Sequence, residues 1–184
     1  MKIEDALKDI YNKEVYTMTS YILGEYTDKM KSIPSSISRE YHHGESQEKH
    51  IEEVLDILYE LMREFNIQGD ERDILISASI LHDISNCIFI SEEHNDKEFQ
   101  KLYVGKLWRS NEAYFYHPLL SSFIVGKYIL ETKNPDWRLF KIARIISTHM
   151  SHWLNKYCPE PDDLLGYILC VADYIASRKK VIFN

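Results

Sequence analysis

The stretch ILISASILHD, residues 74–83, ends an apolar helical run on two polar residues. The run from about Arg72 to Ile88 is almost continuously apolar, which predicts a helix at the centre of the fold. A histidine and a carboxylate that close such a helix would be costly if they were buried without partners. Because a bound cation would remove that cost, the stretch predicts both a helical core and a metal site within it.

Helical periodicity extends outward from this stretch. Apolar residues at spacings of three and four predict further helices over residues 3–23, 50–65, 118–132, 137–153 and 162–179. Pro118 suits the first turn of its helix, and Asp162 can cap the last one. Residues 33–48 contain Pro34, Gly44 and several serines and should form a loop, whereas residues 91–116 have no decisive pattern. We therefore expect residues 1–184 to form a single all-α domain of about seven helices.

Composition narrows the class of protein. The chain has 184 residues and a formal net charge of -7, which argues against a protein that binds nucleic acid through a broad basic face. The negative net charge does not exclude a nucleotide ligand, because a metal site supplies its own positive charge. Three cysteines without a CxxC pair argue against a disulfide framework. The acidic start and the lack of a long apolar run predict a cytoplasmic protein without a membrane partner.

Candidate metal ligands lie near the ends of the predicted helices. They are histidines and aspartates, the residue types that bind transition metals. The set consists of His50, His82, Asp83, His117, His149 and Asp173. Asp173 lies within the apolar stretch LCVADYI, residues 169–175, where an unpaired carboxylate is disfavoured.

This series resembles the HD-domain superfamily of metal-dependent phosphohydrolases over residues 50–178. The local contexts SASILHD (77–83), HPLLSS (117–122) and VADYI (171–175) are similar to the family's elements. Tyr41-His42, the HMSHW stretch (149–153) and residues 172–179 look most like small standalone bacterial and phage members that carry both additional histidines.

The resemblance implies an HD core over about residues 48–180, preceded by an N-terminal helix (3–23) and a loop (33–48). It implies one metal site formed by His50, His82, Asp83 and Asp173, and a second site completed by His117 and His149 with Asp83 as a bridge. The ions would be Fe, Mn, Co, Ni or Zn.

The resemblance also implies an enzyme that cleaves a phosphate ester or anhydride of a small nucleotide. A metal-bridging hydroxide would attack phosphorus, and Asp83, His117 and His149 would be the catalytic residues. The expected substrate contacts come from side chains near these ligands, namely His42, His43, Lys49, Tyr116, His152 and Arg178.

Two details of the site have alternatives. His42 or His43 could replace His50 as the first ligand, although Val54 and Leu58 follow His50 at the spacing of a core-facing position. Asn86 stands where many family members have a lysine. The sequence does not identify a residue that takes the role of this lysine.

Other functions are also compatible with the ligand set. A metal-dependent nuclease acting on single-stranded nucleic acid is the main alternative, and it is less favoured because the chain is acidic. A binding module with a structural metal would need only one closed site. Oxygen-dependent chemistry at a di-iron site occurs in distant relatives. The sequence leaves homo-oligomerisation open.

Overall fold

The computed structural model describes residues 1–35, 45–90, 112–151 and 158–178. These residues form eight helices: α1 (Ile3–Lys8), α2 (Lys13–Ser32), α3 (Gln47–Glu64), α4 (Gly69–Leu81), α5 (Asn86–Phe89), α6 (Glu112–Glu131), α7 (Trp137–Thr148) and α8 (Leu164–Ser177). Extended pairing among the described residues is limited to an isolated bridge between Pro34 and Ser46. The predicted all-α class is confirmed.

Helix α4 lies at the centre of the bundle. Every residue from Ile74 to His82 is at most 1% exposed, which explains why this stretch lacks a polar face. Helices α2, α3, α7 and α8 all pack against α4. The C-terminal end of α4 therefore lies in the interior of the protein, where the ends of other helices can contact it.

The prediction of a single helix over residues 3–23 is wrong. The chain forms α1 and α2, which are separated by residues 9–12. Asn12 caps α2 by accepting hydrogen bonds from the backbone N–H groups of Glu14 and Val15. Ile10 and Val15 are both buried, so the apolar spacing continues across a break that only the cap and its tertiary contacts create.

Other predicted boundaries also need correction. Helix α4 begins at Gly69 and ends at Leu81 rather than running from Arg72 to Ile88, and α7 ends at Thr148 rather than at residue 153. The residues that follow are histidines whose rings turn back onto the preceding carbonyl groups, as described below. The loop predicted over 33–48 ends at Ser46, because the Ser46 hydroxyl caps α3 by accepting from the Lys49 N–H at 3.2 Å.

Helices α6 and α8 begin at other residues than predicted. Helix α6 begins at Glu112, so Pro118 lies inside it rather than in its first turn. The fixed φ of proline matches a helix, which continues through Pro118 with the loss of one backbone hydrogen bond. Asp163, not Asp162, caps α8 by accepting from the Gly166 N–H at 2.9 Å. Residues 91–111 of the undecided segment lie outside the described residues.

Across the described part of the chain, none of the helices combines the length and apolarity needed to cross a bilayer. The single-domain organisation and the cytoplasmic location stay predictions.

The break between α1 and α2 depends on Asp73, which is 3% exposed. Its Oδ2 atom accepts hydrogen bonds from the backbone N–H groups of Tyr11 at 3.0 Å and Asn12 at 2.6 Å. Both donors lie in the break, so one buried carboxylate of α4 fixes the direction in which α2 leaves α1.

We expect Asp73→Ala to lower the free energy of unfolding by about 2–5 kcal/mol, because two backbone donors lose their acceptor. Asp73→Asn keeps an acceptor oxygen and should lose less. Chemical denaturation in EDTA measures the effect without a contribution from bound metal. The control is Asp28→Ala at an exposed position of α2. A loss for Asp73→Ala no larger than that of the control would contradict this account.

Candidate metal centre

Six side chains from five parts of the fold meet at the buried end of α4. His50 lies in the first turn of α3, and His82 and Asp83 directly follow α4. His117 lies within α6, His149 directly follows α7, and Asp173 lies within α8. All six residues are 9% exposed or less. Apart from the consecutive His82 and Asp83, these residues lie far apart in the sequence, and helix packing brings them together.

The Asp83 carboxylate lies between two pairs of histidines. Its Oδ1 atom is 3.1 Å from Nε2 of His117 and 3.5 Å from Nε2 of His149. Its Oδ2 atom is 3.7 Å from Nε2 of His82 and 3.9 Å from Nε2 of His50. Each oxygen of one carboxylate therefore faces a different pair of imidazoles.

A second carboxylate completes one side of the cluster. Oδ1 of Asp173 is 3.1 Å from Nε2 of His50 and 3.8 Å from Nε2 of His82. The Ser177 hydroxyl donates a hydrogen bond to the same oxygen at 3.3 Å. Two groups of side chains could hold a metal ion, each with its ligand atoms within 4.8 Å of one another: His50, His82 and Asp173, and His82, Asp83 and His149.

Backbone carbonyls orient two of the rings. Nδ1 of His82 lies 2.8 Å from the Ser79 carbonyl oxygen, and Nδ1 of His149 lies 2.8 Å from that of Ile146. Because a carbonyl oxygen only accepts, each Nδ1 carries the hydrogen, and Nε2 of each ring is directed into the cluster. Nε2 of His117 also points inward, 3.1 Å from Nε2 of His149. This is the arrangement in which histidines bind metals.

The cluster fits a cation. Nε2 of His82 and Oδ1 of Asp83 are fully buried, and within the part of the chain that the structure describes neither makes a well-aligned hydrogen bond, although Oδ1 lies 3.1 Å from Nε2 of His117. Two ligand atoms that each lie about 2.1 Å from one ion are about 3.0–3.4 Å apart. The distances of 3.1–3.9 Å in this cluster lie at or slightly above that separation. Imidazole nitrogens and carboxylate oxygens together suit first-row transition metals.

The ionisation of the cluster follows from its burial and its charges. Burial lowers the pKa of His82, but the Asp83 and Asp173 carboxylates more than offset this effect and raise that pKa to about 9. Burial lowers the pKa of His149, and neighbouring histidines act in the same direction. Burial would raise the pKa of both carboxyls, yet the histidines around them hold it well below its usual range. Both carboxylates are therefore charged near neutral pH.

The structure locates half of the expected substrate contacts. Lys49 is exposed beside His50, and Tyr116, which precedes His117, is 38% exposed. Arg178 follows α8, and its guanidinium lies over the Tyr174 ring at 4.6 Å. His42, His43 and His152 lie outside the described residues.

Sequence reasoning missed Gln47. This residue is fully buried, and its Nε2 donates a hydrogen bond to Oδ2 of Asp83 at 3.4 Å. Its Oε1 accepts a hydrogen bond from Nδ2 of Asn86 at 3.2 Å. The spacing offered a signal, since Gln47 precedes His50 by three residues and so shares its side of the helix.

Comparison with known proteins gives one family match. A family model described as HD domain matches residues 48–178, a region that contains all six clustered side chains. The chain matches no curated protein and no solved structure.

We expect metal binding to tighten as the pH rises. Below about pH 9, His82 of the metal-free protein carries a second ring proton, on Nε2, that an incoming ion must displace, because a metal binds the neutral ring. One displaced proton lowers the Kd for Mn²⁺ about tenfold for each pH unit. Isothermal titration calorimetry between about pH 6.5 and 8.5, repeated in buffers of different ionisation enthalpy, measures both the affinity and the proton release. A Kd that does not change with pH would contradict this expectation.

Proposed function

This chain belongs to the HD domain family of metal-dependent phosphohydrolases, and we propose that it hydrolyses a phosphate ester or anhydride of a small nucleotide with two divalent transition-metal ions. HD domains bind divalent metals, and the family implies a small-molecule substrate. The number of ions, their use in this chain and the nucleotide substrate are our proposal.

The two-sided contact of Asp83 carries the proposal. One carboxylate whose oxygens face separate histidine pairs is suited to bridge two ions. We assign one ion to His50, His82, Asp173 and Oδ2 of Asp83. We assign the other to His117, His149 and Oδ1 of Asp83.

Bound ions of this kind lower the pKa of water and offset negative charge on phosphoryl oxygens. The residues of this chain set the charge and the orientation of the site. Four neutral imidazoles and two carboxylates leave two divalent ions with an excess of positive charge, which attracts a phosphate to an acidic protein. The backbone contacts of His82 and His149 keep the ligating nitrogens directed inward. In this proposal Asp83, His117 and His149 are the catalytic residues, because they would hold the second ion.

Substrate recognition in this proposal uses side chains around the ligands. Tyr116 is next to His117 in sequence and 38% exposed, and in this proposal its ring contacts a nucleobase. Lys49 and Arg178 carry positive charge close to His50 and Asp173 in the chain and would contact phosphate. His42, His43 and His152 complete the set of proposed substrate contacts.

A substrate panel tests the reaction class. We expect Mn²⁺-loaded protein to release product from one small nucleotide and EDTA to abolish the release. The panel holds nucleoside mono-, di- and triphosphates, cyclic and dinucleoside nucleotides, and a single-stranded oligonucleotide. The rate should be the same with and without oxygen, because hydrolysis needs no oxidant. Cleavage of the oligonucleotide alone would favour the nuclease alternative, and no turnover by metal-loaded protein would contradict the proposal.

The metal content of variants tests the ligand assignment. We expect two ions for each chain of the wild type, one for His117→Ala, one for Asp173→Ala and none for Asp83→Ala. Asp83→Ala should also lose turnover, because it removes the ligand that both ions share. Inductively coupled plasma mass spectrometry measures the content after loading with Mn²⁺.

The exposed Asp28→Ala variant is the control and should keep the wild-type content. A full complement of metal in Asp83→Ala would refute the shared-ligand assignment.

A further inference from the structure

A buried pair of side-chain amides lies behind the Asp83 carboxylate. Gln47 is fully buried and Asn86 is 6% exposed. Asn86 Nδ2 donates to Gln47 Oε1 at 3.2 Å, and Gln47 Nε2 donates to Asp83 Oδ2 at 3.4 Å. Every other contact described above for this carboxylate comes from a histidine ring. The amide pair therefore gives the Asp83 carboxylate a hydrogen bond that comes from outside the candidate metal ligands.

Backbone hydrogen bonds hold both amides in place. Gln47 is the first residue of α3, and its N–H donates to the Ile33 carbonyl at 3.0 Å. Asn86 is the first residue of α5, and its N–H donates to the Asp83 carbonyl at 2.9 Å. Asn86 is therefore anchored to the backbone of the residue whose carboxylate Gln47 contacts. The first residues of α3 and α5 therefore have fixed backbone positions, from which the two side-chain amides extend.

The pair has a defined polarity. The Asp83 carboxylate only accepts, so Gln47 presents its Nε2 to Asp83 and its Oε1 accepts from Nδ2 of Asn86. An aspartate carboxylate rotates easily about its last side-chain bond. A donor that contacts Oδ2 alone distinguishes the two oxygens and, together with the histidine contacts, holds this rotation. With the rotation fixed, Oδ1 faces His117 and His149.

We propose that Gln47 and Asn86 are positioning residues that fix the rotation of the Asp83 carboxylate, so that each of its oxygens serves one of the two ions. The role of this rotation in metal binding rests on the proposed function. The rotation itself is a property of the metal-free protein. Gln47 acts directly on Asp83, and Asn86 acts through Gln47.

Two variants remove the effect in different ways. Gln47→Met keeps the length of the side chain but removes the donor. Asn86→Asp keeps the shape but replaces the donor by an acceptor, which competes with Asp83 for the Nε2 donor of Gln47. Gln68 and Asn66 form an exposed pair of the same residue types, with Gln68 Nε2 donating to Asn66 Oδ1 at 2.6 Å. Gln68→Met and Asn66→Asp are therefore matched controls.

The variants are compared by Mn²⁺ titration followed by electron paramagnetic resonance. We expect the wild type and both controls to give the signal of an exchange-coupled Mn²⁺ pair. Gln47→Met and Asn86→Asp should bind the second Mn²⁺ about 10- to 100-fold more weakly and give the signal of isolated ions. Unchanged coupling and affinity in both variants would overturn the inference.

Crystal structures in EDTA separate this inference from the proposed function. We expect the Asp83 carboxylate to be rotated in Gln47→Met and Asn86→Asp relative to the wild type. A wild type that binds only isolated ions would refute the two-ion proposal, and these structures would then decide the inference alone. An unchanged carboxylate in both variants would overturn it. If one variant does not fold, as judged by circular dichroism, the other variant applies the same criterion.

Discussion

Two buried carboxylates impose the main physical constraint on this protein. Asp83 and Asp173 lie at the centre of an apolar bundle, 6% and 9% exposed, and a charged group there is stable only with partners of opposite charge or with donors. Helices α3, α4, α6 and α7 each deliver a histidine to them. The positions of these helix ends are thus tied to the charge of the centre, and the same packing that buries the core brings the histidines and carboxylates together.

The side chains of the centre come from both neighbouring and distant positions in the sequence. The end of α4 supplies a histidine and a carboxylate in consecutive residues, and the other four clustered side chains come from four other helices. Asp73 at the start of α4 fixes the joint between α1 and α2, while the residues just after α4 form the centre. One fully buried helix therefore organises both the N-terminal helices and the site. A change that shifts α4 along its axis would disturb both ends together.

Much of this could be predicted from sequence, for identifiable reasons. The apolar period of three and four residues revealed most helices, and the setting of His82-Asp83 and Asp173 pointed to buried charge. Helix ends were less predictable, because the break before Asn12 depends on Asp73, sixty-one residues away in the chain. Pro118 did not mark a helix start, since a helix tolerates its geometry. Gln47 was missed because a glutamine near a helix start is ordinarily solvated, and only the packing of α3 against the end of α4 buries it.

The histidines that directly follow α4 and α7 have a consequence for the entropy of metal binding. Each ring is bound to a carbonyl three residues earlier, so its orientation depends on contacts within one turn of its own helix. Fixing a side chain in one rotamer costs conformational entropy. In the folded protein these two rings have already lost that freedom, so an ion that binds at the centre has less side-chain entropy to remove.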